Sequence, residues 1–171
     1  MDFSPLTTSI IEREQIAILN EDNMADFLAE NGDVILMICG DHERLMEVND
    51  AAVILPELVK ASNGLLTPAV VERGFERDVQ RRYRFSSFPS FVFLRDGGYL
   101  GSLSRVLDWS DYITEINAIL AKEPSEPPAF KIRGFETPAK IETGATNGTA
   151  VAPKPEKSMT DRLIEEGADN V

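Results

Sequence analysis

One cysteine and one histidine are all that the 171 residues offer of two side chains on which redox and zinc chemistry rest. A lone thiol cannot close an internal disulfide, and a single Cys with a single His cannot furnish a zinc site. No metal and no cofactor is therefore expected. Positive charge is also scarce: 17 Lys and Arg stand against 29 Asp and Glu, a formal net charge of −12. Phosphates would be repelled, which argues against nucleic acid or an anionic membrane surface as partner. A basic protein or peptide suits the charge, and so does acidity that only keeps the chain soluble. No apolar run approaches the length of a membrane span, so no stable membrane insertion is expected. The opening MDFSPLTTSIIERE carries acids where a secretory signal needs bases, and it lacks a continuous apolar centre. The expected compartment is the cytoplasm.

What the chain does contain is a core. Apolar residues make up 43% of it, enough for one domain with extensions. Composition changes near Ala121. Residues 123–171 hold six of the ten prolines, with runs such as ETGATNGTAVAPKPEKS, and few large apolar residues to offset the entropy of ordering. The reading is a folded domain over 1–122 and a mostly disordered, Pro-rich tail over 123–171. Two islands interrupt the tail: AFKIRGFE, and SMTDRLIEEGA, a short helix with Ser158 or Thr160 as cap and Gly167 as stop.

Within the domain the periodicity is clear. IIEREQ after Pro5 belongs to a short helix, and Ile16 to Asn20 is a candidate strand. EDNMADFLAENG puts Met24, Phe27 and Leu28 at helical spacing, with Asn20 or Asp22 as cap. DVILMICG is a continuous apolar run, as in a strand buried on both faces. A second helical stretch, DAAVILPELVKAS, would turn Val53, Ile54, Leu58 and Val59 to the core, kinked at Pro56. LLTPAVVERG is a third strand and ERDVQRRYRF a short helix with a basic face. SFVFL and YLGSLS, joined by RDGG, form a hairpin. DWSDYITEINAILA closes the domain as a helix, with Ile113, Ile116 and Leu120 along one side. The expected fold class is α/β: a central mixed sheet of four to five strands flanked by helices.

The terminal hairpin, Phe88-Pro89 opening the fourth strand and Pro56 within the second long helix together resemble a thioredoxin domain. That resemblance implies a cis bond before Pro89 and a groove beside it where extended peptides bind. Aligning Pro56 with the kink proline of thioredoxins puts the redox tetrapeptide at Val48, Asn49, Asp50 and Ala51, none of which forms a thiolate. Cys39 ends an apolar strand, the usual setting of a buried structural cysteine; His42, three residues on, could pair with it as a nucleophile. Asp41, Glu43, Glu47, Asp50 and Glu57 cluster around the start of the second long helix. They either complement its dipole or form an acidic rim facing the groove. Arg77, Arg81, Arg82 and Arg84 read as a solvated helix face pairing with Glu76 and Asp78.

EVNDAAVILPELV, in which an acid-Val-x-Asp run replaces the cysteine motif, and RRYRFSSFPSFVFLRDGGYLGSLSRVLDWSDYI further resemble the HyaE/HupG/HoxO group over residues 10 to 122. These are thioredoxin-like accessory proteins of uptake nickel–iron hydrogenases. The resemblance implies a non-catalytic maturation chaperone that binds the hydrogenase small-subunit precursor and its twin-arginine signal peptide before export, with other hydrogenase accessory proteins as further partners. The contact residues it implies are Glu47, Val48, Asn49, Asp50, Ala51, Phe88, Pro89 and Trp109, the last equally readable as a packing anchor. The net −9 of residues 1–122 would attract paired arginines. The alternative is a thiol-dependent peroxidase or reductase using Cys39.

Overall fold

The computed structural model describes residues 3–129. Helix α1 (Pro5–Glu14) is opened by Ser4, whose Oγ accepts from the Thr7 N–H at 3.1 Å, while Pro5 takes the first helical position, where no N–H is needed. Then follow β1 (Ala17–Leu19), α2 (Met24–Glu30), β2 (Asp33–Ile38), α3 (Glu47–Ala61) and β3 (Thr67–Val71). The chain continues through α4 (Glu76–Tyr83), β4 (Ser90–Arg95), β5 (Gly98–Leu103) and α5 (Trp109–Leu120). Every element expected from periodicity over this range is present, and α3 runs through Pro56 as one helix.

The five strands form one sheet in the order β1-β3-β2-β4-β5. β3 is parallel to both β1 and β2, whereas β4 runs antiparallel to β2 and β5 antiparallel to β4. Successive side chains of a strand point to opposite faces, and here both faces are covered. Ile35, Met37, Phe91 and Phe93 share one core with residues of α1, α3 and α5; Val34, Leu36, Ile38, Val92 and Leu94 share the other with α2 and α4. This is the thioredoxin-like arrangement, and the Phe88–Pro89 bond at the mouth of β4 is cis.

The buried face of α3 agrees with the sequence expectation at Leu58, which is buried, and at Ile54 and Val59, which are partly buried against the same core. It departs from it at Val53, which is 49% exposed. Val48, Ala51, Ala52 and Leu55 complete the buried face. The apolar run 52–55 spans more than one side of a helix, so one of its members has to face outward. At the far end of the sheet, Asp96 (φ 49°) and Gly97 (φ 76°) make the two-residue hairpin turn, both with the positive φ that a type I′ turn needs. Arg95 forks onto Asp33 across the strands at 2.7 and 2.9 Å and also donates to the Leu120 and Lys122 carbonyls, which ties the end of α5 to the sheet.

Past α5 the chain lies against β5: the Ser125 N–H donates to the Tyr99 carbonyl at 2.8 Å, and Arg84 Nη1 donates to the Pro127 carbonyl at 2.9 Å. Most of the tail, including nearly all of AFKIRGFE and the helix read over SMTDRLIEEGA, is outside the described residues.

Ser4 also sits 2.6 Å from Asn49 Oδ1, so one hydroxyl caps α1 and holds it to α3. Ser4→Ala is expected to cost about 1–2 kcal/mol, the loss of a cap and of one partly buried hydrogen bond. Urea unfolding checks this; an unchanged midpoint would mean water replaces the hydroxyl on both helices.

Candidate functional site

β2 and β3 are parallel neighbours, so the loops that follow them leave the same end of the sheet. β4 is antiparallel to β2 and begins at that end, with Ser90 opposite Ile38. Three separate segments are thereby brought together: the loop after Ile38, the loop after Val71 and the turn at Phe88-Pro89. Gly40 lies at their junction with φ 75°, and a Cβ there would fall 2.5 Å from Phe88 Cβ. Glycine is what allows the first loop to close on the third.

Glu76 locks the second loop to the first. Its side chain is buried, at 3% exposure for the residue; Oε1 accepts from the Gly40 N–H at 2.9 Å and Oε2 from Arg73 Nη1 at 2.8 Å. Burial pushes the Glu76 carboxyl above its ordinary range, opposed by the Gly40 N–H and the Arg73 charge. At the next residue, the Arg77 guanidinium lies over the Phe88 ring, 5.0 Å from its centroid, and Nη1 donates to Gln80 Oε1 at 2.8 Å. With Asp41, Arg44 and Leu45 these groups line a cleft of about 600 Å³.

The residues singled out in the sequence are distributed differently. Val48, Ala51 and Pro89 are buried, and Val48 and Ala51 pack in the core beneath α3. Asn49 is engaged by Ser4. Glu47 and Asp50 are exposed in the first turn of α3, and neither lines the cleft. Phe88 is half-buried and forms the cleft wall, whereas Trp109 is 49% exposed at the start of α5 and is not part of that wall. Of the acids expected to rim the groove, Asp41 lines this cleft, and Glu43, Glu47, Asp50 and Glu57 do not. The lining is Arg44, Arg73 and Arg77 against Asp41 and Glu76, and Glu76 pairs with Arg73 rather than with the helix arginines. Arg81 does pair with Asp78, as expected. Arg44, Arg73 and Gly40 were missed. The available signal was topological: adjacent parallel strands must bring their C-terminal loops together, whatever the spacing between them in the chain.

The acids instead mark the outer face of α3. Met46, Asp50, Val53 and Glu57 recur at intervals of four, three and four, which aligns them in one stripe. Met46 is 87% exposed, and Glu47 flanks the stripe. Glu57 shares its charge with Lys60 at 2.8 Å.

Cys39 is buried at the end of β2. Burial, with the nearby Glu76 carboxylate adding to it, pushes its thiol far above the ordinary range. Among the described residues no hydrogen bond joins it to His42, so the groups of a thiolate nucleophile are not assembled. No cluster of three or more His, Cys, Asp or Glu among the described residues is placed to hold a metal ion, and no described helix is long and apolar enough to cross a membrane.

Residues 6–112 match the family model described as hydrogenase-1 expression protein HyaE. The hydrogenase expression/formation protein HoxO of Cupriavidus necator is 38% identical over 130 residues, 75% of this chain and 81% of that one. HoxO of Azotobacter vinelandii is 49% identical over 103 residues, 60% and 69% of the two chains. A HupG hydrogenase expression/formation protein of Rhodopseudomonas palustris, known as a crystal structure, is 35% identical and covers 61% of this chain and 95% of its own, with a TM-score of 0.45. A sheet entered through Phe88-Pro89, a helix start without thiols and a match over most of the described chain lead to one assignment: the chain belongs to the HyaE family of hydrogenase expression proteins.

Proposed function

We propose that the protein is a non-catalytic maturation chaperone, acting in the cytoplasm, that holds a hydrogenase small-subunit precursor by its twin-arginine signal peptide before export. The observation that carries this reading is the outer stripe of α3, where acidic Glu47, Asp50 and Glu57 alternate with exposed Met46 and Val53. A signal peptide of this class presents paired arginines followed by an apolar stretch. The stripe offers carboxylates for the first and uncovered apolar surface for the second. The surrounding domain adds a long-range attraction, since residues 1–122 carry a net −9. The names of the relatives support a role in hydrogenase expression and formation. The frame itself has lost the thiols with which a thioredoxin would turn such contact into disulfide exchange.

Calorimetric titration of the full chain with the precursor, and with the precursor lacking its signal, tests the proposal. Binding should require the signal, and Glu47→Lys and Asp50→Lys should each weaken it about tenfold while the melting temperature stays put, because exposed interface charges act on encounter and specificity more than on folding. Equal affinity for the two precursors would rule out the signal peptide as the ligand. Equal affinity of the variants would remove the stripe from the interface.

A further inference from the structure

In a chain this acidic, the concentration of arginines at the cleft beside Phe88 calls for an explanation of its own. Arg44, from the loop after β2, and Arg73 and Arg77, from the segment that leads into and starts α4, line one hollow of about 600 Å³. Two of them are held in place before any ligand arrives. Arg73 is braced by the buried Glu76 carboxylate, and Arg77 sits over the Phe88 ring with one nitrogen on Gln80. Among the described residues, neither Arg44 nor Arg77 takes part in an ion pair. Guanidinium groups fixed in this way present forked donors whose ordering cost has already been met, the arrangement that suits a planar, two-oxygen acceptor.

The charge count narrows the ligand. Three guanidinium groups face Asp41 and Glu76, so with both acids ionised the lining carries a single net positive charge. One carboxylate balances it, whereas a phosphate dianion would meet two fixed carboxylates with too little cation to offset them. The volume suits a few residues of peptide rather than a lone ion. We infer that this cleft is a receptor for one carboxylate group borne on a peptide, either an acidic side chain or a chain terminus. The surface and the ligand's sign both differ from those of the α3 stripe, so this inference does not rest on the signal-peptide reading. The repulsive field of the whole domain does not prevent it, because at physiological salt that field decays over about 8 Å while the arginines touch the ligand.

The test uses the full chain, with its arginine side chains labelled for NMR, and four probes. These are an acetylated, amidated alanine pentapeptide with a central glutamate, its glutamine counterpart, an acetylated alanine pentapeptide with a free C-terminus, and inorganic phosphate. Saturable shifts at the Nε–H groups of Arg44 and Arg77 are expected with the glutamate peptide, the free-acid peptide or both, up to about 10 mM, and whichever probe acts identifies the source of the carboxylate. Arg77→Gln should weaken that binding about tenfold, and Arg81→Gln, one turn further along α4, outside the cleft lining and paired with Asp78, should leave it unchanged. The inference is overturned by equal shifts with the glutamine peptide, by tighter binding of phosphate, by an Arg77→Gln variant that binds as well as the parent, or by no saturable shift with either carboxylate.

Discussion

Alanine at position 40 should cost roughly 3 kcal/mol and lower the melting temperature by on the order of 10 °C, a large effect for one added methyl group. Two independent penalties combine at this residue. The backbone sits at φ 75°, where an L side chain crowds its own carbonyl. The new Cβ would also lie 2.5 Å from Phe88 Cβ and 3.0 Å from Leu45 Cδ1. Leu45 can rotate away, but Phe88 is attached to the turn that starts β4 and is held from the other side by Phe85, edge-on at 5.5 Å. The loop must therefore open, and opening stretches the Gly40–Glu76 hydrogen bond. Urea and thermal unfolding measure the loss. A melting temperature within a degree or two of the parent's would mean the three loops are not packed as described.

The second large effect distinguishes two replacements of one residue. Glu76→Ala should destabilise by about 2–4 kcal/mol, because it strands the Gly40 N–H and removes the partner of an Arg73 side chain that is only 28% exposed. Glu76→Gln keeps an oxygen for Gly40 and should cost no more than about 1 kcal/mol at neutral pH, since the desolvation of a carboxylate that it relieves offsets much of the lost ion pair. The raised carboxyl of Glu76 gives the sign of the pH dependence. The folded state holds this proton more tightly than the unfolded state, so the residue's contribution is full below the ordinary glutamate range. It is lost as pH rises through the raised folded value. Stability measured across that interval should fall in the parent more than in Glu76→Gln. Parallel curves would show that Glu76 ionises in the fold much as it does in water.

Much of the fold was legible because alternating apolar runs and helical spacings report burial directly. DVILMI and SFVFLR are buried on both faces apart from Asp33 and Arg95; the first read as such, and the second as a strand of the closing hairpin. The face of α3 was legible at Ile54, Leu58 and Val59 and not at Val53: four successive apolar residues from 52 to 55 cover more than one side of a helix, and only contact with the sheet decides which one is left outside. The site was legible in its frame and not in its chemistry. Phe88-Pro89 and the thiol-free helix start could be located from the chain alone. The acids near Glu47 looked like the groove's lining because they are close to it in sequence. Arg73 and Arg77, about thirty residues further on, take that place through strand order, and neighbouring residues along a chain carry no trace of strand order. Val48 and Ala51 occupy positions of the lost redox motif, yet they pack inward.

The strip of chain laid on β5 has a consequence for how the molecule behaves at high concentration. An open strand margin is a template on which further chains can zip, the first step toward fibres. At one margin of this sheet β1 has only three residues. At the other, Ser125 bonds to Tyr99, and Pro128 and Ala129 share a hollow with Ser102 and Ser104. Pro124, Pro127 and Pro128 have no N–H to pass on, so the covering strip is a poor template for another strand.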